Sequence, residues 1–61
     1  MTAYDAYRTA VVLAENGHTD VDAVTHADID AAADYAGADR PTDSNDRHTI
    51  QTALAAIGDA Q

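Results

Sequence analysis

The chain has 61 residues and a formal net charge of −8, which limits it to one small domain with an acidic surface. The lack of cysteine excludes a disulfide framework, a thiolate metal site and a cysteine nucleophile. No apolar run approaches the roughly 20 residues of a membrane span, and the first five residues lack a basic start and an apolar stretch, so we expect neither a membrane partner nor a signal peptide.

The first predicted helix covers residues 2–16. Thr2 is placed as its N-cap, and Asp5 follows three residues later at the second position of a capping box. Asn16 and Gly17 predict its end, because glycine readily adopts the left-handed conformation that follows many helices.

This first helix is apolar on more than one side. One side is formed, at helical spacing, by Ala3, Tyr4, Tyr7, Ala10, Val11 and Ala14. Leu13 points to roughly the opposite side, and Val12 lies on a flank. Two interpretations stay open: the helix is the central, most buried element, or Leu13 faces a partner.

Residues 18–24 are predicted to connect the first two helices. Thr19 or Asp20 is suited to cap a short turn there. Such a turn carries Val21 and Val24 inward.

The second predicted helix covers residues 26–36. Thr25, followed three residues later by Asp28, matches the capping-box pattern, and Gly37 predicts the end of the helix. Tyr35 lies at the edge of the predicted buried stripe, which consists of Ile29, Ala32, Ala33 and Ala36.

Residues 38–43 form the longest predicted link, since Pro41 disfavours helix at Arg40. The third helix then ends at Gly58. Three residues are suited to cap its start: Thr42, Asp43 and Ser44. Its apolar stripe consists of Ile50, Ala53, Leu54 and Ile57.

These elements predict an all-α fold, a compact three-helix bundle with a short turn between helices 1 and 2. Residues 1–58 form the single domain, and residues 59–61 form a C-terminal tail. The core is small, because the chain has no Phe or Trp, and domains of this size often need a staple, a metal or oligomerisation. A contact face for a partner is therefore predicted on helix 1, formed by Tyr4, Tyr7, Val12 and Leu13. The alternative is that these side chains complete a monomeric core.

The charged residues are unusual in kind as well as in number. There is no lysine, and every acid except Glu15 is aspartate. This composition resembles that of proteins from extreme halophiles, the haloarchaea and their viruses. The resemblance implies a protein that works in brine, where a Debye length of about 3 Å near 1 M salt screens the self-repulsion of the chain.

Few residues are arranged for chemistry. His18, Asp20 and Asp22 alternate in an H-x-D-x-D pattern that offers ligands for a divalent ion, but the stretch lacks the glycine and distal glutamate of an EF-hand loop. No nucleophile elbow, phosphate loop or H-E-x-x-H motif occurs. We therefore expect solvated acids here, no metal, no cofactor and no enzymatic activity.

Residues 26–58 resemble the helix–extended-loop–helix of SAP-like domains, and more distantly a helix-turn-helix. The resemblance implies nucleic-acid contacts near the start of helix 3, where Arg40, Arg47 and His48 gather and backbone N–H groups favour anions. Three acids interleave with these bases, and the net charge opposes phosphate binding. They are Asp39, Asp43 and Asp46.

Two functions are therefore predicted. The first is a small halophilic module for protein–protein interaction, or a structural subunit, that associates with itself or with a larger assembly such as a virion. The alternative is a nucleic-acid-binding or regulatory helix–loop–helix protein that uses the start of helix 3. The expected location is the cytoplasm of a halophilic archaeon or a virion.

Overall fold

The computed structural model describes residues 1–59, and it confirms the all-α three-helix bundle. Helix α1 covers Ala3–Glu15, α2 covers His26–Ala36 and α3 covers Ser44–Asp59, with a 3₁₀ turn at Val21–Ala23 between α1 and α2. Within residues 1–59, no helix is both long and apolar enough to cross a bilayer.

Helix α3 extends one residue beyond its predicted end. Gly58 was expected to stop it, but Gly58 lies inside the helix and Asp59 is its last residue. A difference of one residue is common at helix ends, which fray. Of the predicted tail, Asp59 is therefore helical, and Ala60 and Gln61 lie outside the described residues.

Helix α1 begins and ends where its local sequence predicts. The Thr2 hydroxyl oxygen accepts a hydrogen bond from the Asp5 backbone N–H at 3.1 Å, which satisfies a donor of the first turn. The Asp5 carboxylate lies 3.5 Å from Arg8 instead of completing the capping box. At the other end Gly17 has a φ of 85°, and the next N–H, that of His18, donates to the Leu13 carbonyl at 2.9 Å.

The structure shows which side of α1 is buried, a choice that the sequence left open. Tyr4 and Tyr7 are exposed. The buried side is formed by Ala6, Thr9, Ala10 and Leu13. Small residues let α1 approach both α2 and α3 closely, and the Thr9 hydroxyl is satisfied inside the helix by the Asp5 carbonyl at 2.8 Å. Helix α1 is therefore the central element, the first of the two interpretations left open by the sequence.

Helix α2 and its connector follow the sequence prediction closely. The Thr25 hydroxyl accepts from the Asp28 N–H, and the Asp28 carboxylate accepts from the Thr25 N–H, both at 3.1 Å, so the capping box is complete. Gly37 ends the helix with a φ of 73°. In the connector, Asp20 caps the 3₁₀ turn by accepting from the Asp22 N–H at 3.0 Å. Of the predicted stripe, Ile29, Ala32 and Ala33 are buried, and Ala36 is half-buried.

Helix α3 begins after Asp43, which is the cap among the three candidates. Its carboxylate accepts from the Asp46 N–H at 2.8 Å. Ile50 and Leu54 are buried, and Ala53 and Ile57 pack against them, as the apolar stripe predicts. Among the described residues, the largest apolar side chains that are fully buried are Leu13, Ile29, Ile50 and Leu54.

The small core is nevertheless closed. The chain exposes 3735 Å², and a folded monomer of 6.4 kDa is expected to expose about 3,800 Å². The Cα radius of gyration is 9.8 Å. The monomer therefore does not need a second chain to cover its interior.

The capping box predicts a pH effect. The backbone N–H and the hydroxyl of Thr25 hold the pKa of the Asp28 carboxyl below its ordinary value of 3.8. A carboxyl whose pKa is lower in the folded state stabilises the fold at higher pH, and this contribution is lost as the pH falls through the folded-state pKa. We expect Asp28→Asn to be less stable than the wild type at neutral pH, with a difference that begins to narrow near about pH 4 and narrows further as the pH falls through the folded-state pKa.

Thermal unfolding followed by circular dichroism from neutral pH to about pH 3 would measure this difference. Asp39→Asn is the matched control, because it removes the same charge from an exposed link without removing a cap. A gap between Asp28→Asn and Asp39→Asn that stays constant over the whole pH range would contradict the prediction.

Candidate functional site

All the aromatic side chains of the chain are tyrosines, and all of them lie outside the core. Tyr4 is 71% exposed, Tyr7 49% and Tyr35 82%. Burying a large aromatic side chain removes roughly 150–250 Å² of surface from water, which is favourable. Because the core contains none of the tyrosines, this burial free energy remains available for a contact with another molecule.

The three tyrosines line one groove of about 350 Å³ between α1 and α2. We call it the tyrosine groove, and its lining consists of Tyr4, Tyr7, Arg8, Val11, Val12, Tyr35 and Ala36. The start of α1 meets the end of α2 here, because the two helices run antiparallel. Among residues 1–59, no carboxylate belongs to this lining, although the chain carries 11 acids.

Arg8 fixes the two helices of the groove to each other. Its Nη2 donates a hydrogen bond to the Ala36 carbonyl in the last turn of α2. That turn has carbonyls without helical partners, so the contact acts as a cap supplied by another helix. The guanidinium also lies 5.4 Å from the centre of the Tyr4 ring and 3.5 Å from the Asp5 carboxylate. The one cation of the groove is thus engaged by its own chain.

A second, polar cleft of about 420 Å³ continues between α1 and α2 beyond Val12 and Tyr35, which line both spaces. Its polar lining is formed by Glu15, Asn16, His18 and Asp28. His18 Nδ1 lies 4.0 Å from an Asp28 oxygen, which is already used by the capping box. The polar cleft thus marks one end of the apolar groove.

Comparisons with known proteins supply no template for this groove. No protein-family model, curated protein or solved structure matches the chain. The groove is therefore interpreted from its own residues, and the resemblances drawn from the sequence stay predictions.

The structure places the predicted contact face only in part at the groove. Tyr4, Tyr7 and Val12 line it, and they are joined by Tyr35, which helical spacing places at the edge of the buried stripe of α2. Leu13 is 1% exposed and belongs to the core, so it is removed from the contact face. One signal in the sequence pointed to Tyr35: it is the only aromatic residue in a helix otherwise rich in alanine and aspartate.

The side chains of the H-x-D-x-D stretch do not converge on one point. The Asp20 carboxylate caps the 3₁₀ turn, and His18 faces Asp28 instead of its neighbours in the H-x-D-x-D pattern. Across residues 1–59, no three His, Cys, Asp or Glu side chains are grouped so that they could hold a metal ion.

Of the three predicted nucleic-acid contacts, Arg40 is paired with a carboxylate of its own chain. Arg40 donates two hydrogen bonds to the Asp34 carboxylate, at 2.9 and 2.5 Å, and this pairing holds the pKa of Asp34 below its ordinary value. Arg47 is half-buried and its Nε is enclosed, while His48 is exposed. The geometry of these three residues adds nothing to the nucleic-acid hypothesis, which stays a prediction.

Proposed function

We propose that this chain is a small helical interaction module or structural subunit that binds another protein chain through the tyrosine groove. The observation that carries the proposal is the location of the tyrosines: every aromatic side chain is exposed, and all of them line one apolar groove. The core closes without them, so packing of the monomer does not account for their position.

Tyrosine is suited to this role for physical reasons. It offers a large contact area with few rotatable bonds, so little conformational entropy is lost on binding. Its hydroxyl can hydrogen-bond with water in the unbound protein, which makes exposure of the ring less costly. Aromatic residues are enriched at protein–protein interfaces, and tyrosine is frequent among the residues that dominate binding energy. The Arg8 link between α1 and α2 holds the groove in place in the free protein, which lowers the cost of ordering it.

We further propose a halophilic setting, an archaeal cell or a virion. The support is compositional: a net charge of −8, no lysine and aspartate as nearly the only acid. Most of these aspartates are exposed, and they are Asp20, Asp22, Asp34, Asp39, Asp43 and Asp59. A surface of this kind is costly in dilute buffer and tolerable in brine.

Selection from a random phage-displayed peptide library tests the binding function. The full chain is immobilised at low density in about 1 M NaCl, where charge attraction is largely screened. We expect enriched peptides with aromatic or aliphatic anchors, and we expect Tyr35→Ala to weaken their binding by about tenfold or more.

Thr52→Ala is the matched control, because Thr52 is exposed on α3 and does not line the groove. Its binding should equal that of the wild type. Peptides that bind Tyr35→Ala as well as they bind the wild type, or a library that yields no binder, would contradict binding of a foreign peptide in the groove.

A further inference from the structure

The tyrosine groove is a neutral-to-basic island on an acidic protein. Its lining holds no carboxylate and a single cation, Arg8, while the chain as a whole carries a net charge of −8. The acids flank it: Asp5 lies beside Arg8, and Glu15 and Asp28 line the adjacent cleft. A molecule that binds in this groove therefore contacts apolar surface and no carboxylate of the groove lining.

We infer that the occupant of the groove is a second copy of this chain, docked groove to groove around a two-fold axis. The inference rests on the proposed function and names the partner. For two acidic copies, this carboxylate-free groove permits close approach without setting acid directly against acid. A two-fold interface uses the same patch on both copies, so each exposed tyrosine contributes twice to the buried area.

The exposed area suits a reversible dimer. The three tyrosines together expose about as much surface as two fully exposed tyrosine side chains. At roughly 150–250 Å² for each, the two copies bury on the order of 600–1,000 Å² of tyrosine surface. With the partly exposed valines of the groove, full burial gives a total of about 1,000 Å², which is the size of weak or transient interfaces. The dimer is therefore concentration-dependent, in keeping with a monomer whose core is closed.

Salt strengthens this dimer. At about 0.01 M salt the Debye length is about 30 Å, so two copies with a charge of −8 repel each other before contact, whereas at about 1 M it is about 3 Å. The apolar contact itself does not weaken with salt. A basic partner behaves in the opposite way, because salt screens its attraction to an acidic protein.

Sedimentation equilibrium of the full chain tests the inference, with protein concentrations up to about 1 mM in about 0.1 M and about 1 M KCl. We expect the weight-average mass to rise with concentration from 6.4 kDa toward twice that value, and to rise further at the higher salt. Tyr35→Asp should remain monomeric. Thr52→Asp is the matched control, since it adds the same charge at an exposed position outside the groove, and it should dimerise as the wild type does.

Tyr4→Asp is a second variant, and it is expected to retain the folded state. It places a carboxylate in the first turn of α1, where the helix dipole favours a negative charge, and it should also abolish the dimer. Circular dichroism of each variant checks that helicity is retained. A wild type that stays monomeric at every concentration, an association that weakens with salt, or a folded tyrosine variant that dimerises like Thr52→Asp would each overturn the inference.

The two proposals fail separately. If the wild type is monomeric but selected peptides still need Tyr35, the groove binds a different chain, and only the identity of the occupant is wrong. If neither dimer nor groove-dependent peptide is found, the binding function falls as well.

Discussion

Leu13→Ala is expected to lower the free energy of unfolding by about 2–5 kcal/mol, because it opens a cavity at the centre of the bundle. Leu13 is 1% exposed and lies on α1, the helix that packs against both of the others. A domain of 61 residues is expected to have a total stability of roughly 3–9 kcal/mol. The substitution therefore removes a large part of the stability, and the urea concentration at the unfolding midpoint should fall markedly. Urea unfolding in about 1 M KCl, followed by circular dichroism, measures the loss.

Tyr4→Ala is the control for this prediction. The sequence placed Tyr4 and Leu13 on the same predicted contact face, whereas the structure exposes one and buries the other. Truncating Tyr4 removes its contact with the Arg8 guanidinium and should cost no more than about 1 kcal/mol. If both variants lost equal stability, the assignment of Leu13 to the core would be contradicted.

Transfer from about 1 M KCl to about 0.01 M KCl is expected to destabilise the wild type on the order of 4 kcal/mol. A net charge of −8 confined to a radius of gyration of 9.8 Å repels itself more than the same charge on the expanded unfolded chain. The expected loss is comparable to the whole stability of a domain of this size. Helicity should therefore fall sharply on dialysis into dilute buffer and return when salt is restored.

A charge-reduced variant isolates the cause. Asparagine in place of Asp22, Asp39 and Asp59, three exposed carboxylates outside the caps and ion pairs, lowers the net charge from −8 to −5. This variant should keep more helicity at low salt and depend less on KCl. Glutamate at the same three positions is the control, because it keeps the charge and should behave like the wild type. If the helicity of the wild type were unchanged in dilute buffer, the proposal that the protein works at high salt would be contradicted.

The stability of the fold is the difference between favourable burial and unfavourable charge repulsion. Leu13→Ala tests whether the enclosed side chains of α1 hold the helices together. The salt series tests how strongly repulsion among the surface carboxylates destabilises the fold. The dimer proposed above depends on both, because only a folded monomer presents the groove and only screened charges let two copies meet.

The sequence by itself determined the helices, the caps of α1 and α2, and two of the three buried stripes, whereas it left three candidates for the cap of α3. Thr25 with Asp28 and the glycines at the ends of α1 and α2 act through hydrogen bonds that span only a few residues. The stripe of α3, with Ile50 and Leu54, is also local, since one side of that helix is clearly more apolar than the other.

Only the tertiary structure decided which side of α1 is buried. That helix is apolar on more than one side, so periodicity alone could not choose between the tyrosines and Leu13. This side is buried because the side chains of Ala6, Thr9 and Ala10 are small, which lets α1 pack against both α2 and α3.

The groove likewise arises from residues far apart in the chain. Tyr35 on α2 lines the same groove as Tyr4 and Tyr7 on α1, and Arg8 donates to the carbonyl of Ala36 at the end of α2. Local patterns fix what each helix looks like, but contacts between distant segments depend on how the helices pack. The sequence therefore specified the parts of this protein, while the packing of α1 between α2 and α3 brought the exposed tyrosines to one place.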